Sequence, residues 1–126
     1  MTGPMVMAEH LEIGKRGEEL AASYLKEHQY TILERNWRYR HWEIDIIASR
    51  DDRIIIVEVK VRKSIGGERI EEHVNRKKQR YLISAANAFI LKQGLDKNVR
   101  FDIILLTGES GDFKLEHIQD AFSPWD

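Results

Sequence analysis

Trp42-Glu43-Ile44-Asp45-Ile46-Ile47-Ala48, the polar Ser49-Arg50-Asp51-Asp52-Arg53, then Ile54-Ile55-Ile56-Val57-Glu58-Val59-Lys60-Val61 decide how this chain folds. Both apolar halves are rich in β-branched residues and turn formers divide them, which predicts a β-hairpin. Side chains alternate between the two faces of a strand. With the turn centred on Asp51-Asp52, Arg50 faces Arg53, Ile47 faces Ile56, Asp45 faces Glu58 and Glu43 faces Lys60. Ile44, Ile46 and Ala48 then share a buried apolar face with Ile55, Val57, Val59 and Val61. The opposite face gathers Asp45, Glu58 and Lys60 beside Ile47, Ile54 and Ile56.

Carboxylates opposite each other across a sheet repel, so a cation, Lys60 or solvent must offset that charge. The wet side of an antiparallel sheet is one account of such a face. The isoleucines on it argue that something covers part of it, leaving the charges at the edge of a second core. An Asp followed by Glu-x-Lys on an apolar strand is also what metal-dependent phosphodiester cleavage requires. Acidic oxygens hold Mg²⁺ at about 2.0–2.1 Å. The metal polarises phosphate and activates water, while a lysine steadies the water or the developing charge.

The chain has 126 residues, enough for one domain with its own core. Without cysteine it has no disulfide, thiol catalysis or Cys-based zinc site, which suits a reducing cytoplasm. No apolar run approaches the roughly 20 residues of a membrane span, no signal-like segment opens the chain, and a cytoplasmic location is the expectation. The formal net charge of −1 confines any nucleic-acid contact to a local basic patch.

In order, Met1–Met7 reads as a loose end, with residues 1–8 flexible. A helix is predicted from about Glu9 to His28, with Gly17, Leu20, Ala21, Tyr24, Leu25 and His28 on its apolar stripe. Glu18 flanks that stripe, within reach of Asp45 and Glu58. Gly14-x-x-Gly17 allows close backbone approach. Tyr30–Arg38 reads as a strand and Tyr39-Arg40-His41 as a turn. There Arg35, Arg38 and Arg40 interleave with Trp37 and Tyr39, a pattern suited to phosphates and bases. His41, lacking a partner histidine, reads as a hydrogen-bonding loop residue. After the hairpin, Arg62–Gly67 reads as a mobile loop and Glu71–Gln93 as a second helix, with Leu82, Ala85, Ala86, Phe89 and Gln93 inward. Extended backward, that stripe reaches Lys78 and Asn75, which implies that Lys78 points into a polar cleft. Arg76, Lys77, Lys78 and Arg80 form the densest basic run. Gly94 caps the helix, Val99–Thr107 is a buried strand, Glu109–Asp112 a turn and Phe113–Ile118 an edge strand. Asp102 interrupts the buried strand and reads as a salt-bridge or capping residue. The tail aromatics Phe122 and Trp125 are expected to dock on the body.

Gly14-x-x-Gly17-Glu18, Arg35-Asn36-Trp37-Arg38, Glu43-Ile44-Asp45-Ile46-Ile47-Ala48, Val57-Glu58-Val59-Lys60-Val61-Arg62 and Arg100-Phe101-Asp102 together resemble the YraN family. These are small, largely uncharacterised bacterial proteins to which an endonuclease role has been ascribed. They are similar in turn to archaeal Holliday-junction resolvases and the restriction-endonuclease-like, PD-(D/E)XK superfamily. The resemblance runs from about Glu9 to Phe122. It implies one α/β domain with a restriction-endonuclease-like αβββαβ core, its mixed central sheet flanked by helices. It implies catalytic positions at Glu18, Asp45, Glu58 and Lys60, with Asp45 and Glu58 as ligands of Mg²⁺ or Mn²⁺. The chain departs from the pattern at Trp42, where the family has glycine before Glu-Ile-Asp.

Two functions of different class follow as expectations. One is a metal-dependent nuclease acting on DNA, branched or structured DNA included, with Arg35, Arg38, Arg62, Arg76, Lys77, Lys78 and Arg80 as nucleic-acid contacts and a homodimer doubling the basic patch. The other is a catalytically inactive module that keeps the fold and binds nucleic acid or a protein.

Overall fold

The computed structural model describes residues 4–63, 73–109 and 112–125, the first of these through backbone alone up to residue 11. The elements are α1 (Pro4–Glu27), β1 (Thr31–Tyr39), β2 (Trp42–Arg50), β3 (Arg53–Arg62), α2 (Arg76–Gln93), β4 (Asn98–Glu109) and β5 (Asp112–Phe122). Among the described residues these elements follow the expected order α-β-β-β-α-β-β. The strands form one five-stranded mixed sheet in the order β1-β2-β3-β4-β5. Only β3 and β4 run parallel. Parallel neighbours need a crossover long enough to return the chain to the same end, and α2 lies in it.

Each helix covers one face of the sheet. Ala21 and Leu25 of α1 pack on Ile46, Ala48, Ile55, Val57, Ile104 and Leu106, with Val59 and Val61 partly buried at the margin. Leu82, Ala85 and Phe89 of α2 pack on Ile47, Ile54, Ile56, Phe101, Ile103 and Leu105. The central strands β3 and β4 are therefore apolar on both faces. Buried aliphatic side chains of this kind contribute about 1.5–3 kcal/mol each.

Helix α1 begins at Pro4, inside the stretch expected as a loose end. The close approach foreseen for the glycines belongs to Gly17 alone. A Cβ there would lie 2.6 Å from Val61 Cγ2 and 3.1 Å from Leu106 Cδ1, whereas Gly14 faces open space. Gly17→Val is accordingly expected to lower stability by about 1–3 kcal/mol, the usual cost of overpacking. Thermal melts would show it, and an unchanged Tm would mean that α1 can lift off β3 freely.

Most of the expected helix Glu71–Gln93 is observed as α2 from Arg76, after a break at Val74 and Asn75 that follows the helical His73. Asn75 is extended (φ −70°, ψ 168°) and its side chain accepts a hydrogen bond from the Lys78 N–H, an N-cap. Glu71 itself, the expected loop from Ser64 to Gly67 and the tip of the Glu109–Asp112 turn lie outside the described residues. Gly94 closes α2 in the left-handed conformation (φ 63°), its N–H meeting the carbonyls of Ile90 and Leu91. Gln93, expected on the inward stripe, is exposed. Phe122 is buried and stacks on Phe101, with ring centroids 5.1 Å apart. Trp125 does not dock: it is 92% exposed.

The hairpin pairs as expected from Arg50–Arg53 through Ile47–Ile56 to Ile46–Val57, and there the ladder ends. Beyond it one expectation fails. Ile44 lies in the α2-side cluster with Ile47, not in the α1-side cluster with Ile46. The alternation of β2 breaks beside Asp45. On β1, Arg35 pairs with Ile46 and Trp37 with Ile44, and the intervening Asn36 takes a left-handed conformation (φ 50°). The register of β1 on β2 shifts between Ile32 and Glu34, and such an irregularity twists a strand and re-aims its side chains.

Candidate active site

The break in β2 leaves Asp45 without a backbone partner in β3, and its carboxylate takes that place. Asp45 Oδ2 accepts a hydrogen bond from the Val59 N–H at 2.8 Å. This pins the carboxylate against β3, within hydrogen-bonding reach of the Glu58 side chain. Glu58 is buried, only 4% of its side chain reaching solvent. Burial, then the neighbouring Glu58 charge, push the Asp45 pKa up to about 8, against the smaller pull of the Val59 N–H. Near neutral pH the Asp45 carboxyl therefore favours its protonated form.

Two ammonium groups converge on the same oxygen. Lys60 Nζ lies 3.5 Å and Lys78 Nζ 3.6 Å from Glu58 Oε2. Lys60 reaches it from the same strand, while Lys78 comes from the first turn of α2, across the sheet face. The inward direction of Lys78 read from its helical stripe is thus the observed one. Its ammonium also sits 4.6 Å from the centroid of the Trp42 ring and 5.6 Å from that of Tyr81. Trp42 and Tyr81 are 5.2 Å apart, and the Tyr81 hydroxyl donates to the Tyr39 carbonyl at 2.9 Å.

The remaining expected residues are more scattered. Glu18 Oε1 accepts from Asn36 Nδ2 at 2.8 Å, and the Glu18 charge adds only a minor upward push on Asp45. Glu43 pairs with Arg38 at 3.1 Å, and no Glu43–Lys60 pairing extends the ladder. Arg35 pairs with Glu19 at 3.1 Å. Arg62 donates to the Val61 carbonyl. Arg76, Lys77 and Arg80 are exposed along the start of α2, and His41 is exposed in the β1–β2 turn.

A second polar cluster lies beneath the other end of α1. Asp102 Oδ2 accepts from His117 Nε2 at 2.7 Å and from the Arg100 guanidinium at 2.8 Å, and Oδ1 accepts from Arg100 Nε and the Asp120 N–H. His117 Nδ1 meets the Tyr24 hydroxyl at 3.0 Å, and Arg100 reaches the Tyr30 hydroxyl. Burial alone would raise the Asp102 pKa. The bonds from His117, Arg100 and the Asp120 N–H outweigh it and hold the group below the usual carboxylate range. The salt-bridge role read for Asp102 is the one observed. Only the interruption of an apolar strand signalled it, because its partners beyond Arg100 come from β5, and the groups that hold those partners come from α1 and from Tyr30 just before β1.

A divalent cation fits the Asp45–Glu58 pair. Two neighbouring carboxylates, one with its pKa raised by the charge of the other, present the charge that a cation would take over, and Mg²⁺ commonly uses one or two carboxylates, with water and phosphate completing its shell. Among the described residues no group of three or more His, Asp or Glu side chains gathers to hold an ion, so protein ligation would rest on these two.

A family model described as "Uncharacterised protein family UPF0102" matches residues 17–106, most of the chain. The chain belongs to the UPF0102 family. The match accords with the YraN-like segments, and Glu18, Asp45, Glu58, Lys60 and Lys78 all fall inside the UPF0102 span. A UPF0102 protein of Bacteroides thetaiotaomicron is 46% identical over 118 residues, covering 94% of this chain and 98% of its own. A UPF0102 protein of Flavobacterium psychrophilum is 43% identical over 116 residues, 92% of this chain and 98% of its own. One from Christiangramia forsetii is 46% identical over 116 residues with the same coverage. Among the described residues, no helix of this UPF0102 chain is long and apolar enough to cross a membrane.

Proposed function

We propose that this UPF0102 protein is a Mg²⁺- or Mn²⁺-dependent nuclease that hydrolyses phosphodiester bonds of DNA, with branched or structured DNA among its candidate substrates. The observation that carries this reading is the Asp45–Glu58 pair: two carboxylates forced together at a break in the sheet, with the Asp45 pKa raised and two lysines on the same oxygen. Perturbed groups of this kind concentrate at functional sites.

Asp45 and Glu58 would hold the cation, which when bound polarises phosphate and lowers the pKa of water. The Val59 N–H fixes the direction of Asp45, so the site is oriented before substrate arrives. The Lys60 ammonium, 3.5 Å from Glu58 Oε2, is placed to orient the attacking water or to take up charge developing on the phosphate. Lys78, Lys77, Arg76 and Arg80 line one approach to the pair and suit the phosphates on either side of the scissile bond. Arg38 and Arg62 would extend that contact. Glu18 and Arg35 act from the α1 side, through Asn36 and Glu19. A cytoplasmic location and a homodimer that doubles the basic patch belong to the same reading.

A second reading, a non-catalytic module, has one observation in its favour. The two lysines already neutralise much of the charge on Glu58, so the pair could be balanced without metal. Cleavage assays decide between them. Single-stranded, duplex, flap and four-way DNA, with an RNA control, are incubated in Mg²⁺, Mn²⁺ and chelator. Cleavage that needs metal is expected. Lys60→Ala should slow it about a hundredfold, the usual loss for one charge-stabilising donor, while calorimetric Mn²⁺ binding persists. No cleavage of any substrate together with no heat of Mn²⁺ binding would establish the non-catalytic reading.

A further inference from the structure

We infer that Trp42 is a stacking platform for an unpaired nucleobase, so that the ligand of this cleft is a nucleic acid with a single-stranded or unstacked nucleotide beside the carboxylate pair. Placing a scissile bond there rests on the nuclease reading; the base-binding site itself does not.

Trp42 opens β2, three residues before Asp45, and its side chain is not absorbed into the core: the residue is 41% exposed. It is nevertheless held in place. Tyr81, anchored by its bond to the Tyr39 carbonyl, lies 5.2 Å from the indole, and the Lys78 ammonium 4.6 Å from its centroid. A large flat ring that is both fixed and solvent-facing has already lost the freedom that ligand stacking would otherwise cost. Trp42, Lys60, Asn75, Lys77 and Lys78 line a cavity of about 210 Å³. His73 and Val74 complete the lining, so its chemistry is an aromatic plane with three ammonium groups, an imidazole and an apolar side chain, and Lys60 and Lys78 join it directly to Glu58. Flanking phosphates satisfy the ammonium groups, and a base between them meets the indole.

An apolar ligand would make no use of the ammonium groups that line the cavity, and a bare phosphate would leave the indole unused. A base held inside a duplex cannot reach the ring without leaving its pair and its stack, so the site selects nucleotides already unpaired. Stacking tolerates any base, because each has a π-face. Preference for structure rather than sequence is therefore the expected outcome.

The test is binding in chelator by the full chain, which separates recognition from cleavage. Two oligonucleotides carry 2-aminopurine at the same position, one single-stranded and one fully paired. The native protein is expected to bind the single strand about tenfold or more tightly than the duplex, and to quench its 2-aminopurine fluorescence. Trp42→Phe should retain most of the preference. Trp42→Ala and Trp42→Leu should bring single-strand affinity down to that of the duplex and abolish the quenching, with melting curves establishing that each variant is folded. Equal affinity of the native protein for the two forms, or no binding of either, would overturn the inference without recourse to any variant. A preference that survives both Trp42→Ala and Trp42→Leu would do the same. The same proteins are then assayed in Mg²⁺. Selective binding without cleavage would leave the inference standing and remove the nuclease, while cleavage without selective binding would do the reverse.

Discussion

Asp45→Asn is expected to make the metal-free protein more stable at pH 8, while abolishing both metal-dependent stabilisation and cleavage. The folded-state pKa of Asp45 is raised from 3.8 to about 8 by burial and by Glu58. A group raised in this way contributes stability that is fully present below its unfolded value and is lost as pH rises through its folded value. In chelator, native stability should therefore decline between roughly pH 4 and pH 8. A pKa unit corresponds to about 1.4 kcal/mol; because the carboxylate is partly solvated, a loss on the order of 2 kcal/mol is expected rather than the full shift. An amide cannot ionise, so the variant should hold a flatter profile, equal to native near pH 4 and above it at pH 8. Excess Mg²⁺ should reverse the order: at a hundred times Kd, ligand binding stabilises the native protein by about 3 kcal/mol and leaves the variant unmoved. Because metal binding displaces the proton on Asp45, affinity should climb through the same pH window. Denaturant melts in chelator and in Mg²⁺ at both pH values check all of this. A variant destabilised in chelator, with native protein indifferent to metal, would mark Asp45 as a scaffold residue.

Asp102→Ala should have the opposite character and cost about 3–5 kcal/mol, the penalty for stripping a buried ion pair of one partner. The side chain of Asp102 is wholly buried, and its loss strands the Arg100 guanidinium, itself 14% exposed, together with His117 and the Asp120 N–H. Here the folded pKa is lowered, so the contribution is present above the usual carboxylate range and disappears as pH falls below it. Urea titrations at neutral pH would detect the loss. A cost below about 1 kcal/mol would mean that water or a shifted Arg100 takes over the bonds. The two aspartates thus bend the stability profile in opposite senses, Asp102 from the acid side and Asp45 from the alkaline side.

The hairpin register was legible in the sequence because strand side chains repeat every two residues and the Asp51-Asp52 turn set the origin. Both burial layers and the order of elements followed from that period and from the stripe Leu82, Ala85, Ala86 and Phe89. Lys78 could be read as inward because one cation stood on that stripe. What escaped were departures from regularity. Nothing in Arg35-Asn36-Trp37 announces that Asn36 will take a positive φ, or that Ile44 will join Phe89 and Trp37 on the α2 side. The break at Val74 and Asn75 before α2 was missed although Asn75 is a good N-cap residue, because the polar residues before it continue a helix-compatible composition. The bonds to Asp102 join residues distant in sequence, and no periodicity can pair Tyr24 with His117.

The parallel pairing of β3 with β4 has a kinetic consequence. Asp45 and Glu58 meet through a two-residue turn, a contact the chain can close locally and early. Lys78 can reach Glu58 only once α2 has crossed over and docked, and long-range closure is the slow part of folding. A hairpin that has formed before the crossover carries its acid pair with Lys60 as its only fixed counter-charge. During that interval added salt or divalent cation should speed folding, whereas in the finished protein Lys78 has already supplied the charge.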